Sequence, residues 1–393
     1  MSGPISNEKP PLVLHVIHHL VIGGMENGLI NLINHMPETA YRHAIVCIED
    51  YSDFRQRITR TDVDVFALHR SEIGVWRLRY ELFKICQRLK PTIVHSRNQS
   101  GLDALLPAKL ARVPHTVHGE HGWDVNDLNG LRKKPALLRR LHTPLVDRYI
   151  TVSKDLERYL VARVGIDGRR ISQIYNGVDT ARFAPVSATV NRLQVLPEEF
   201  HHDKAIIVGT VGRLQQVKDQ ATLLRAFSAL RECRPDLKER LRLAIVGSGP
   251  LLAELRQFAE SLGIGAVTWF PGALQNVSEV LQSFDIFVLP SLNEGVSNTI
   301  LEAMASGLPV LATAIGGNVE LVIEGVCGRF FSPGDSEALC NLIASYASPE
   351  LRAMHGQAAR KIAEQSFSLS VMTQRYREVY DSLSCRPARP KFS

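Results

Sequence analysis

Two carboxylates with seven residues between them, Glu294 and Glu302, are the side chains of this sequence best placed to grip a polyhydroxylated ligand. They lie in the stretch FDIFVLPSLNEGVSNTILE, residues 284–302. Each carboxylate can accept hydrogen bonds from adjacent hydroxyls. Glu294 falls in a polar turn, and Glu302 falls among Ile300, Leu301, Ala303 and Met304, where a charge needs a partner. The plainer reading of the same pair is a surface-capping Glu294 and a salt-bridged Glu302.

Cations follow a strand in the same half of the chain. The run Val208-Gly209-Thr210-Val211-Gly212 ends in Arg213, and Lys218 comes five residues later. An arginine offers a bidentate fork and a lysine a point charge, so the two could hold a diphosphate. Solvated surface charges are the competing reading. Glycines at strand ends let a ligand approach the backbone, and helix N-termini attract phosphate. Gly23-Gly24, Gly247-Ser248-Gly249 and Gly316-Gly317 are such turns, each equally readable as a turn with no ligand. None follows the G-x-G-x-x-G dinucleotide pattern. His118-Gly119-Glu120-His121-Gly122 closes another strand, and a histidine there can donate a hydrogen bond or move a proton. Two histidines three residues apart leave open which of them does so. Asp62-Val63-Asp64 has metal-ligand types, but it precedes an apolar strand and so belongs to the opposite sheet edge. It reads as a turn, and no metal site is expected.

The elements that must position these residues alternate. Ile286–Leu289 is an apolar, β-branched run stopped by Pro290 and reads as a buried strand. Ser297 or Asn298 can cap the helix that follows. Upstream, strands are expected over Leu12–Ile17, Ala44–Ile48, Val63–Leu68, Thr92–His95, Val113–His118 and Tyr149–Val152, with a helix over Trp76–Leu89. A second series starts at Ala205 and continues through Leu241–Gly247, Val267–Phe270, Ile286–Leu289 and Val310–Ala312. Strand–helix alternation of this kind predicts parallel sheets with helices on both faces. The chain therefore reads as α/β, with two doubly wound halves facing a central cleft. The first half is expected over 1–180 with a frayed lead over 1–10, a linker over 181–204, and the second half over 205–365. An amphipathic helix over 366–385, carrying Met372, Tyr376, Val379 and Tyr380, is expected to cross back, and 386–393 forms a tail.

The bulk properties agree and exclude several classes. An apolar content of 45% with 22% charged residues supports real cores in a globular protein of 393 residues. The net charge of +6 suits an anionic ligand or membrane surface, but no long Lys/Arg run points to nucleic acid. The six cysteines at 47, 86, 233, 327, 340 and 385 are scattered without a Cys-x-x-Cys pair, which argues for reduced thiols and against zinc. No apolar segment is long enough to span a bilayer, and no signal-peptide pattern opens the chain. A cytoplasmic location is expected. Arg132, Lys133, Lys134, Arg139 and Arg140 lie among Leu131, Leu137, Leu138 and Leu141, so a peripheral seat on anionic lipid is the further expectation.

Taken in order, Gly23-Gly24-x-Glu26, His118-Gly119, Asn176-Gly177-Val178-Asp179, Gly212-Arg213-Leu214 with Lys218, Gly247-Ser248-Gly249, Glu294 to Glu302 and Gly316-Gly317-x-x-Glu320 resemble the large retaining glycosyltransferase family 4, of GT-B architecture. The resemblance covers nearly the whole chain. The HVIHHLVIGGMEN and VHGEHG segments are similar to bacterial exopolysaccharide sugar transferases of PEP-CTERM/EpsH-type systems. It implies a metal-independent hexosyltransferase with no cofactor, taking a nucleotide-diphosphate sugar as donor and a glycan or lipid-linked acceptor. Arg213 and Lys218 would hold the donor diphosphate, and Glu302 the ribose hydroxyls. Glu294, with the backbone of Gly295, Val296, Ser297 and Asn298, would face the donor sugar. Gly23, Gly24, Gly247 and Gly249 would line the donor, and His118 would meet the transferred sugar. A nucleotide-sugar epimerase of the same fold and a non-catalytic scaffold are the alternatives.

Overall fold

The computed structural model describes residues 9–122, 130–185, 195–201 and 204–384. The lead up to residue 8, residues 186–194 and 202–203 of the expected linker, and the tail from Cys385 lie outside the described residues. The chain divides into two compact units: one runs to Gly177 and resumes at Leu369, the other is Val178–Ser368.

The first unit is a seven-stranded parallel sheet. Its strands are β1 (Leu12–Ile17), β2 (Arg42–Cys47), β3 (Asp64–Ala67), β4 (Ile93–Arg97), β5 (His115–Glu120), β6 (Arg148–Thr151) and β7 (Ile171–Gln173). The spatial order is β3-β2-β1-β4-β5-β6-β7, so the winding reverses between β1 and β4. Loops at the C-terminal ends beside such a reversal part from one another and leave room for a ligand. The helix α1 (Gly24–His35) buries Leu29, Ile30, Leu32 and Ile33, the 3.6-residue spacing that fixes one face on the sheet. A longer helix, α2 (Arg70–Leu89), is kinked at Gly74, whose φ is 74°, and α3 (Lys133–His142) precedes β6.

The second unit has six parallel strands: β8 (Ile206–Val211), β9 (Leu241–Val246), β10 (Thr268–Gly272), β11 (Ile286–Leu289), β12 (Val310–Thr313) and β13 (Gly328–Phe331). Their order is β10-β9-β8-β11-β12-β13, with the reversal between β8 and β11. The helix α4 (Gln220–Cys233) follows β8, α5 (Asn298–Ala305) follows β11, and α6 (Ser336–Ser345) packs on α4 through Leu339 and Ile343.

The last helix, α7 (Leu369–Ser384), belongs to the first unit. Leu369, Met372, Tyr376, Val379, Tyr380 and Leu383 share a core with Val13, Ile93, Val117 and Ile150 of the sheet. It starts three residues later than expected, because Phe367 and Ser368 are held in extended pairing with Val178. Part of the expected linker is built into the second unit. Phe183, Leu196 and Phe200 are buried, and the Arg360 guanidinium donates to the carbonyls of Thr180 (3.0 Å) and Phe183 (2.7 Å). The edge strands β7 and β13 escaped the sequence reading: Ile-Ser-Gln and Gly-Arg-Phe-Phe carry no apolar run long enough to announce a strand.

Candidate functional site

In the second unit the candidate residues converge on the reversal point. Beyond β8, Arg213 is exposed, and a tight turn then carries the chain through Lys218 to Asp219, which starts α4 from a left-handed conformation (φ 44°). Beyond β11, Pro290 ends the strand and Ser291 to Ser297 turn into α5. Lys218 and Glu294, 76 residues apart, meet there: Nζ donates to Oε1 at 2.5 Å. The same oxygen accepts from Ser291 Oγ at 2.6 Å, and Leu292 N donates to Val217 O at 2.8 Å, tying the two loops together. Glu294 is 9% exposed, so its carboxylate depends on these donors. The sequence reading assigned Lys218 and Glu294 to different parts of a ligand. The structure makes them each other's partner.

Ser297 caps α5 by accepting from Ile300 N, as the turn chemistry predicts. Val296 and Asn298 are half-buried beside it, and Glu302 is half-buried one turn into the helix. The first backbone N–H groups of α5 thus open on the same edge as Arg213 and Lys218.

The glycine turns also meet a packing requirement that their spacing does not reveal. A Cβ at Gly247 (φ 141°) would lie 1.9 Å from Gly212 O, and one at Gly249 would lie 2.2 Å from Leu214 O. These glycines let the loop after β9 press on the loop carrying Arg213, where Leu214 N donates to Ser248 O at 2.9 Å. Gly316 (φ 44°) and Gly317 stand in the same relation to the carbonyls of Glu294 and Gly295, at 2.0 and 2.1 Å. They are backbone rests that fix Arg213 and Glu294.

The first unit requires a correction. The strand β5 ends at Glu120, two residues beyond the expected end, so His118 lies within the strand rather than at its edge. His118 is 1% exposed, with Nδ1 at 2.8 Å from Ser96 Oγ and Nε2 at 3.2 Å from Glu120 Oε1. Arg139 of α3 grips both Glu120 oxygens, at 2.5 and 3.0 Å. Burial alone would raise the Glu120 pKa, but the Arg139 charge and the His118 and Arg139 hydrogen bonds hold it down, to about 2. Arg139 therefore faces inward and leaves the basic surface, whose exposed members are Arg132, Lys133, Lys134 and Arg140 beside Leu131, Leu137 and Leu141. His121 stands just past the strand end, its backbone N–H given to Asn98 Oδ1 at 2.7 Å and its Nε2 without a partner. Burial and the nearby Arg97 push its pKa down to about 3.

Gly23 precedes α1 and Gly24 opens it, with the half-buried Glu26 folded back over Gly23. Sequence reasoning missed Ser291, Asn98, Arg97 and the Glu120–Arg139 pair. The one available signal was that His118 and Glu120 alternate onto a common face. Asp62 pairs with Arg60 at 2.6 Å ahead of β3. Among the described residues no three His, Cys, Asp or Glu side chains gather as metal ligands, and no helix is long and apolar enough to cross a membrane.

Comparison with known proteins agrees with this architecture. Residues 22–182 match the Glycosyltransferase Family 4 family and residues 194–362 match Glycosyl transferases group 1. A Bacillus subtilis (strain 168) protein named as a glycosyltransferase, EpsD, is 31% identical over 77% of this chain and 79% of its own. The Escherichia coli UDP-Gal:alpha-D-GlcNAc-diphosphoundecaprenol alpha-1,3-galactosyltransferase is 24% identical over 94% of this chain and 96% of its own. Anabaena Alr3699/HepE, solved with UDP and glucose, superposes with a TM-score of 0.78 at 21% identity, over 95% of this chain and 100% of that one. Two parallel Rossmann-like sheets, a cation–carboxylate pair at the second reversal point and these matches place the chain in the glycosyltransferase family 4, with the GT-B fold.

Proposed function

We propose that the protein is a metal-independent, retaining hexosyltransferase that moves a sugar from a nucleotide-diphosphate donor to a glycan or lipid-linked acceptor. The observation that carries the reading is the Lys218–Glu294 pair beside the exposed Arg213 and the start of α5. Breaking an anomeric C–O bond leaves negative charge on the departing diphosphate. Arg213, Lys218 and the α5 N–H groups are placed to stabilise it without a divalent ion. In this reading Glu294 and the Gly295–Asn298 backbone face the sugar, and Glu302 takes the ribose hydroxyls. In the first unit taken by itself, the candidate ligand residues are Gly23, Gly24 and, of the two histidines, His121, whose Nε2 has no protein partner where His118 is engaged by Ser96 and Glu120.

In this reading the donor's anomeric configuration is retained. Glu294 is engaged by Lys218 and Ser291, so the departing phosphate oxygen takes the acceptor proton on the face it leaves. The solved relative holding UDP and glucose and the galactosyltransferase acting on a diphosphoundecaprenol acceptor support the donor and acceptor classes. We place the protein in the cytoplasm, peripheral to the membrane through α3, and in exopolysaccharide assembly of the PEP-CTERM/EpsH type. The test is incubation with a panel of nucleotide sugars, with and without membrane extract, in excess EDTA. Transfer with the donor's anomeric configuration kept, read by proton NMR, is the expected result. Isomerised donor, an inverted linkage, or activity restored only by magnesium or manganese refutes the reading.

A further inference from the structure

The six cysteines are scattered along the chain, and the fold brings two of them together. Cys233 is the last residue of α4, and Cys340 sits in the middle of α6. They are 107 residues apart in sequence, yet their sulfurs lie 4.0 Å from each other. Their surroundings differ. Cys340 is 6% exposed and shares a core with Leu230, Leu339 and Ile343, and burial pushes its thiol pKa up to about 11. Cys233 is exposed, whereas Cys47, Cys86 and Cys327 are buried. An oxidant arriving from solvent therefore meets Cys233 first, with the buried Cys340 sulfur already in contact with it.

We propose that Cys233 and Cys340 form a reversible disulfide on exposure to hydrogen peroxide, clamping α4 to α6. A sulfur–sulfur bond is about 2.0 Å long, so the two atoms must close by roughly 2 Å. Cys340 is fixed by its packing, but Cys233 ends its helix, and Arg234 has already left helical angles (φ −126°, ψ 75°). In closing, the Cys233 sulfur gives up a long contact to the Leu230 carbonyl, 3.6 Å away. The reaction balances in two steps. The Cys233 thiol takes one peroxide oxygen to become a sulfenic acid, and the other oxygen leaves as water. The Cys340 sulfur then displaces the sulfenic hydroxyl, which departs with the Cys340 proton as a second water. Two thiols have lost two electrons, and a dithiol reductant returns them. The loop so closed contains β9 to β13, and a loop of that length gains much from a cross-link. Lys218 precedes the opposite end of α4, about 20 Å of helix away, so the clamp stands apart from the proposed donor site.

The test treats the reduced full chain with hydrogen peroxide and maps its peptides by mass spectrometry. The expected product is a Cys233–Cys340 linkage within a single chain, lost again in dithiothreitol. The oxidised chain should melt about 5–10 °C above the reduced chain, and Cys233→Ser should erase that difference. Cys340→Ala tests the order of attack: it should leave Cys233 as a sulfenic acid that dimedone captures. Should Cys340→Ala fail to fold, Cys233→Ser at its exposed position carries the test through linkage and melting. A linkage to Cys385, a disulfide-linked dimer, overoxidised Cys233 without linkage, or an unchanged melting temperature overturns the proposal.

Discussion

If Lys218 holds the donor diphosphate as proposed, Glu294 must compete with that ligand for it. The Lys218 ammonium is about one-quarter exposed and its partner carboxylate is buried, so the contact is a charge-assisted hydrogen bond in a partly desolvated place. Such a bond is worth about 1.5–3 kcal/mol, and part of that is given up when the ammonium turns to a ligand. Glu294→Gln keeps shape and weakens the grip on Lys218, so inorganic pyrophosphate should bind that variant several-fold to about tenfold more tightly than it binds the wild type, a gain of up to about 1.4 kcal/mol. Lys218→Ala should bind it at least about tenfold less tightly, and the double variant should resemble Lys218→Ala. Isothermal titration calorimetry with pyrophosphate measures all three without a sugar in the cell. A Glu294→Gln variant that loses affinity alongside Lys218→Ala would show that the pair acts as one unit on the ligand, and the competition argument would fail.

Acidification should unfold the first unit early. Burial lowers the pKa of His15, His43, His95 and His121, so the folded state resists protons that the unfolded chain accepts below about pH 6.5. Their contribution is complete above that pH and falls as pH drops, by up to about 1.4 kcal/mol per pH unit for each histidine. Urea midpoints at pH 7, 6 and 5 should therefore decline, and a flat profile rejects this account of the buried histidines. Gly316→Ala should cost about 1–3 kcal/mol and weaken pyrophosphate binding, since its Cβ would strike Glu294 O, whereas Gly325→Ala, equally left-handed but in open space, should leave binding intact. Equal binding in both variants, by the same calorimetry, contradicts the backbone-rest role. Vesicles containing anionic lipid should co-sediment the protein, with binding lost in high salt and in a variant replacing Arg132, Lys133, Lys134 and Arg140 by glutamine. Equal binding to neutral vesicles ends the α3 docking proposal.

How far the sequence carried depends on the range of the interaction. Leu12–Ile17 and Ile286–Leu289 are observed at the expected bounds because a buried parallel strand writes itself as an apolar run. The Ser297 cap was equally legible, being local. The Lys218–Glu294 contact joins loops 76 residues apart, and no spacing rule reaches that far. Gly247 and Gly316 were recognisable as necessary glycines, but what presses on them is another loop's carbonyl, which the sequence does not place. His118 was expected at a strand end, but β5 runs two residues further. In a structure of period two that shift keeps the face, but it leaves His121, not His118, as the histidine just past the strand end.

The helix α7 completes the core of a unit whose other residues end at Gly177. The unit Val178–Ser368 is one continuous stretch. During synthesis that stretch can close as soon as it has emerged, while the first sheet waits with Val13, Ile93, Val117 and Ile150 uncovered until residues 369–384 follow. The half made first is therefore the half finished last, and its apolar sheet face stays open to chaperones from Gln173 until α7 emerges.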